Sequence, residues 1–192
     1  MTSFQVSAGG DSTHAAFNPA HTGRPVPGLQ VRPATLADVE GIAAINIEIE
    51  GWDMRVDEIT PLIVGEFNKI AEGQFRKFVC VAEVNDDIVG YAKLSWVNYT
   101  NLPHDHIPVG WAMTGVNVPS KWRRRYIGHA MTQFRIDWLR SSGAQAVYYW
   151  TGTCNDSSKA LHARFGFELV ASDVLIPGHK RLALGWVYVL RF

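Results

Sequence analysis

Between Val116 and Ala130 an extended, β-branched run meets Pro119, crosses Arg123, Arg124 and Arg125, and passes into a long amphipathic helix. A helix N-terminus presents backbone N–H groups without intrahelical acceptors and the positive end of the macrodipole, so it attracts anions. Three consecutive arginines at the same turn make a phosphate the fitting ligand. A pyrophosphate there would accept hydrogen bonds from successive N–H groups of Arg125, Tyr126, Ile127, Gly128 and His129. Gly128 lets the ligand approach the backbone where a side chain would intrude.

The helix after this turn carries Met131, Phe134 and Trp138 at spacings of three and four, an apolar stripe that must pack on a sheet, and Gly143 ends it. Upstream, Leu29–Arg32 alternates as a short strand. Thr35 caps a helix with Asp38 as the acidic partner of a capping box, and Ile42, Ala43, Ile45, Asn46 and Ile49 follow. A second helix is expected over about Asp57–Glu72, with Pro61 near its start, where proline is tolerated.

Phe78–Glu83 and Ile88–Leu94 flank Asn85-Asp86-Asp87, which predicts an antiparallel hairpin. Val109–Val118 and Ala146–Thr151 are further strands, and Asn155 caps a short helix that ends at Gly166. Phe167–Val170 and Leu182–Phe192 close the domain. The order β-α-α-β-β-β-α-β-α-β-β predicts a mixed α+β (α/β) domain around one sheet.

Residues 1–28, rich in Gly, Ser, Thr, Ala and Pro without periodicity, read as a flexible N-terminal arm, and the folded domain as 29–192. Eighteen basic and eighteen acidic side chains leave no net charge. That argues against a general nucleic-acid binder, so the arginines are a local device. Cys80 and Cys154 sit in apolar, strand-like contexts without C-x-x-C spacing and are expected as buried free thiols. No apolar run reaches the roughly 18 residues of a membrane span, and no secretory signal pattern opens the chain. A cytoplasmic protein is expected, with no membrane partner.

Two segments together carry a resemblance. Arg123, Arg124, Arg125, Tyr126, Ile127 and Gly128 fall on the pattern (Arg or Gln)-x-x-Gly-x-(Gly or Ala). Asn155, Ser158, Leu161, His162, Gly166 and Phe167 fall on Asn-x-x-(Ala or Ser)-x-x-Leu-Tyr-x-x-x-Gly-Phe. Both motifs, in this order and at this separation, resemble the GNAT superfamily of acyl-CoA N-acyltransferases, and the element order from Leu29 onward is similar to that family's. The resemblance implies a central, mostly antiparallel sheet flanked by helices. It implies acetyl-CoA as co-substrate, its pyrophosphate at the arginine turn. Edge groups of Val116 and Val118 would bond the pantetheine arm as a pseudo-strand and polarise the thioester. Asn155 and Ser158 would cap their helix or contact the cofactor chain.

The chain departs from the family pattern at two positions. Tyr126 replaces the first glycine and is expected to keep an ordinary backbone conformation, or the register moves to Arg125-x-x-Gly128-x-Ala130. His162 replaces the tyrosine that protonates the departing thiolate, a task an imidazolium would also suit. Val109–Val118 lacks the glutamate many members use as base, and His104, Asp105 and His106 lie just upstream. That loop is read as polar rather than metal-binding, and no metal is expected. Trp52, Asp53, Trp96, Tyr99 and Trp111 fall where relatives build the acceptor pocket.

The resemblance therefore implies direct transfer of acetyl to a small-molecule amine. A protein N-terminal or lysine acetyltransferase and a non-catalytic CoA-binding module are the alternatives. A homodimer is an assembly common in such domains.

Overall fold

A computed structural model describes residues 23–50, 54–100, 106–177 and 182–192. The elements are β1 (Gln30–Pro33), α1 (Val39–Glu50), α2 (Val56–Ala71), β2 (Lys77–Val84), β3 (Asp87–Val97) and β4 (Gly110–Asn117). They continue with α3 (Ile127–Ser141), β5 (Ala146–Gly152), α4 (Asp156–Ala163), β6 (Glu168–Pro177) and β7 (Leu182–Arg191). Their order is the one the sequence predicts.

Seven strands form one sheet in the order β1-β2-β3-β4-β5-β7-β6. Every neighbouring pair is antiparallel except β4 and β5, which run parallel and share a single register pair, Ala112 opposite Tyr148. Beyond that pair the two strands part. The sheet is thus two ribbons that meet at one point and open a cleft toward the C-terminal ends of β4 and β5.

Period-two alternation sorts the core onto both faces. Val79, Val81 and Tyr91 pack with Val39, Ile42, Ile45, Ile59 and Ile63 under α1 and α2. Cys80, Ala82 and Ala92, the intervening positions, pack with Ile127 and Met131 of α3. Toward the end of α3, Phe78 stacks on Trp138, 4.3 Å between ring centroids. A buried sheet with helices on both sides explains why these strands read as nearly continuous apolar runs.

Local chemistry fixes the junctions. Asn85 and Asp86 turn the β2–β3 hairpin with positive φ angles of 51° and 67°, a conformation Asn and Asp tolerate. Asp38 opens the first helical segment, accepting from Thr35 N–H at 2.7 Å and from both Nη1 and Nη2 of Arg32 at 2.8 and 2.7 Å. Arg32 also donates through Nε to Glu83 on β2 at 2.9 Å, tying β1 and the helix start to the sheet.

Two expectations are corrected. Only Cys80 is buried; Cys154 is exposed in the turn before α4, because β5 has already ended at Gly152. The sixth strand runs to Pro177, well past Val170, through two register irregularities and a positive φ of 54° at Asp173. Among the described residues no helix is long and apolar enough to cross a membrane.

Candidate active site

The cleft wall on β4 is shaped by a bulge. Leu94 pairs with Met113 and Ala92 with Val116, so Lys93 alone faces Thr114 and Gly115. The extra residue needs a φ of 90° at Gly115, a region that favours glycine. On one side the Ser95 and Thr114 hydroxyls pair at 3.0 Å. On the other, Arg135 of α3 donates through Nη1 to the carbonyls of Lys93 at 2.8 Å and Gly115 at 3.2 Å.

Val116 is half-buried with its side chain facing α3: a methyl group placed on Gly128 would lie 3.4 Å from Val116 Cγ1 and 3.7 Å from Leu161 Cδ2 of α4. Gly128 thus marks where β4, α3 and α4 converge, in ordinary contact distance of both neighbours. Val118 lies one residue beyond β4, and its carbonyl accepts from Arg123 Nε at 3.0 Å. Arg123 thereby ties the end of β4 to the turn that follows it.

The arginine turn is left-handed at two residues, Arg124 (φ 62°) and Tyr126 (φ 69°). Tyr126 therefore adopts the backbone conformation a glycine would supply, and the expectation of an ordinary conformation is corrected. Its exposed ring lies 4.1 Å from that of His129, whose other neighbour is Phe165 at 4.6 Å. Contact along this aromatic row offsets part of the backbone strain.

The first helical hydrogen bond of α3 runs from Ala130 N–H to Tyr126 O at 3.0 Å. The N–H groups of Ile127, Gly128 and His129 precede it and have no intrahelical acceptor. The Ile127 side chain itself is core. The Arg125 guanidinium lies over Trp122, 5.2 Å from its ring centroid. The Gly23 backbone touches this turn: a methyl group there would come within 2.8 Å of Arg124 O and 3.2 Å of Tyr126 N.

On α4, Asn155 caps as the sequence predicts, its Oδ1 accepting from Ser158 N–H at 3.1 Å. His162 is only 4% exposed, and its Nδ1 lies 2.9 Å from Ser158 O, which can only accept. Nδ1 therefore carries the proton and Nε2 the lone pair, and Nε2 has no partner among the described residues. Burial pushes this imidazole down to about 3, against the support of the Ser158 carbonyl. The imidazolium expected at His162 is corrected: the ring is neutral at physiological pH because its charged form would lose hydration.

The aromatic residues expected to wall one pocket fall apart into two groups. Trp96 and Trp111 meet edge to face at 5.8 Å, and Trp111 meets Trp138 at 5.5 Å, on the α3 face. Five residues of strand separate Trp111 from Val116, about 16 Å at the usual rise. Trp111 is half-buried beneath α3, whereas Trp96 is 38% exposed and carries the Arg76 guanidinium over its ring, 3.8 Å from the centroid. Tyr99 packs edge to face on Trp150 of β5, 6.0 Å away, level with the opening of the cleft. Trp52, Asp53, His104 and Asp105 lie outside the described residues; His106 is described and exposed.

Two contributors, Glu48 and Arg135, are not among the residues the sequence motifs point to. Glu48 of α1 accepts from both the N–H and the hydroxyl of Ser120, at 2.9 and 3.1 Å, and so fixes the turn after β4. Arg135 falls on the buried face of α3. Its position four residues after Met131 was a signal, since that register places it in the apolar stripe. Among the described residues no cluster of three or more His, Cys, Asp or Glu is arranged to hold a metal ion.

Residues 45–167 match the family model described as the Acetyltransferase (GNAT) family. The fold is similar to an N-acetyltransferase of Staphylococcus aureus Mu50, with TM-score 0.64 and 19% identity over 85% of this chain and 98% of the other. The PaiA N-acetyltransferase of Thermoplasma acidophilum, solved with coenzyme A, aligns with TM-score 0.62 and 11% identity over 85% and 99% of the two chains. The ribosomal-protein-alanine N-acetyltransferase of Brucella melitensis aligns with TM-score 0.62 and 21% identity over 85% and 99%. No match is found among curated protein sequences.

Proposed function

Because the chain belongs to the GNAT acetyltransferase family, we propose that it transfers the acetyl group of acetyl-CoA directly to a primary amine of a small molecule. One observation carries this reading. The parting of β4 from β5 opens a cleft beside the N-terminus of α3, where three consecutive N–H groups lack intrahelical acceptors.

The residues present fit such a substrate. The N–H groups of Ile127, Gly128 and His129, with the helix dipole and the arginines of the turn, suit a pyrophosphate. The absence of a side chain at Gly128 leaves room between Val116 and Leu161. Acetyl-CoA supplies an activated thioester; the chain holds both reactants in one cleft, which lowers the entropic barrier to attack. Val116 N–H donates to the thioester oxygen as charge develops there. Asn155 and Ser158 hold the start of α4, the far wall, and the Asn155 amide nitrogen contacts the cofactor arm. Tyr99 and Trp150 flank the acceptor side.

Titration calorimetry with acetyl-CoA, followed by thiol release over a dipeptide, a polyamine, an aminoglycoside and free amino acids, tests the reading. Gly128→Trp is expected to abolish acetyl-CoA binding, and unchanged affinity would contradict the placement. Neither binding nor turnover with the wild-type protein would end the proposal. A CoA-binding module without turnover is the second reading, favoured by the neutral, buried His162. Tight binding without thiol release, unchanged in His162→Ala, selects it.

A further inference from the structure

Arg135 is fully buried, and among the described residues no carboxylate partners it. A guanidinium in the interior forfeits its hydration, a loss that is offset only if its donors are well used. Here they are spent on backbone and one hydroxyl: Nε on Met131 O at 3.3 Å, Nη2 on Thr132 Oγ1 at 3.3 Å, and Nη1 on Lys93 O and Gly115 O. Burial pushes the group down to about 10, so it keeps its charge near neutral pH.

The two Nη1 acceptors are the carbonyls at the bulge. Gly115 O is turned toward β3 and α3 to reach Arg135. The peptide is trans, since the chain has no cis bonds among the described residues, so Val116 N–H points the opposite way. That is away from β3, toward the side on which β5 has departed four residues after the Ala112–Tyr148 pair. A donor on Gly115 O also polarises the peptide and makes its N–H a stronger donor.

We infer that Arg135 is a positioning residue: it clamps the Gly115 carbonyl so that Val116 N–H is aimed, and electrostatically strengthened, toward a thioester oxygen in the cleft. This rests on the acyl-CoA reading above. It accounts for a buried charge that has no carboxylate partner among the described residues, whereas Arg32 is matched by Asp38 at 2.7 Å. Gly115 makes the bulge conformationally accessible, and Arg135 holds it in one orientation.

The test reads the bound thioester rather than turnover. Infrared difference spectra of acetyl-CoA labelled with carbon-13 at the carbonyl are taken with wild type, Arg135→Met and Arg135→Lys. The wild-type protein is expected to lower the carbonyl frequency relative to water. Arg135→Met is expected to lose that shift while CoA itself binds with unchanged affinity, and Arg135→Lys to recover part of it. An undiminished shift in folded Arg135→Met overturns the inference.

If Arg135→Met does not fold, amide hydrogen exchange on the wild-type protein decides. Val116 N–H should exchange readily in the free protein and be protected by acetyl-CoA but not by CoA. Protection already present in the free protein, or equal protection by CoA, overturns the inference. No binding of acetyl-CoA to the wild-type protein would overturn the acyl-CoA reading as well, which separates the two failures.

Discussion

The imidazole of His162 lies flat against the phenol ring of Tyr149, with 3.8 Å between centroids and 17° between planes. Tyr149 in turn stacks on Tyr188 of β7 at 4.7 Å. The row runs from α4 through β5 to β7, so the residue in the family's tyrosine position is built into the core of the second ribbon. Packing and neutrality go together here: an apolar stack is a poor environment for an imidazolium.

This sets a pH dependence. The unfolded chain binds a proton at His162 near the ordinary value, while the folded chain does so only near 3. Stability from this group is therefore fully present above about pH 6.5 and is lost as pH falls toward 3, by up to about 1.4 kcal/mol per pH unit. Urea unfolding of wild type and His162→Phe between pH 7 and 4.5 should show the steeper decline in wild type. Parallel profiles would contradict the neutral, buried assignment.

Tyr126 offers a test of strain. A side chain in the left-handed region costs about 1 kcal/mol or more relative to glycine. Tyr126→Gly should therefore be more stable than Tyr126→Ala by about that amount, since both lose the His129 contact and only alanine keeps the strain. Equal stabilities in chemical denaturation would show that the turn relaxes when the ring is removed.

Gly185 pairs with Gly152 and is enclosed between β5 and β6. A methyl group there would fall 2.5 Å from Thr151 O and 2.2 Å from Ile176 Cδ1. The isoleucine tip can move, but the backbone oxygen belongs to the ladder. Gly185→Ala is expected to destabilise by about 1–3 kcal/mol, read as a lower urea midpoint; an unchanged midpoint would mean that the ladder yields at no cost.

The Arg32 guanidinium, with help from Thr35, holds the Asp38 carboxyl below its usual value in spite of burial. Its contribution is present above the unfolded value of about 3.9 and is lost as pH falls through the lower folded value. Asp38→Asn should be less stable than wild type at pH 7 by about 1–3 kcal/mol, and the gap should close below pH 4. A gap that persists into acid would assign the effect to geometry rather than charge.

The element order and the caps were legible because they rest on local chemistry: Asn155 before α4, the Asn85-Asp86 turn, and the stripe of Met131, Phe134 and Trp138. The arginine turn was legible for the same reason. What escaped is non-local. Nothing in the spacing couples Glu48 to Ser120 or Arg135 to Gly115, because those pairs are made by the sheet. The left-handed conformation of Tyr126 was not legible because intrinsic preference argues against it, and the ring of His129 packed beside it offsets part of that cost. The aromatic residues Trp96, Tyr99 and Trp111 could not be sorted from spacing alone, because aromatic content marks a pocket wall and a packed layer alike.

The position of β7 between β5 and β6 also separates the order of synthesis from the order of assembly. β1–β4 run outward as neighbours in chain order, so the first ribbon can zip up as it is made. β6 does not touch β5 through a ladder and must wait for a strand encoded after it. One wall of the cleft is thus built from strands contiguous in sequence, while the other takes its hydrogen-bonded backing from a strand encoded after β6, so the cleft is incomplete without β7.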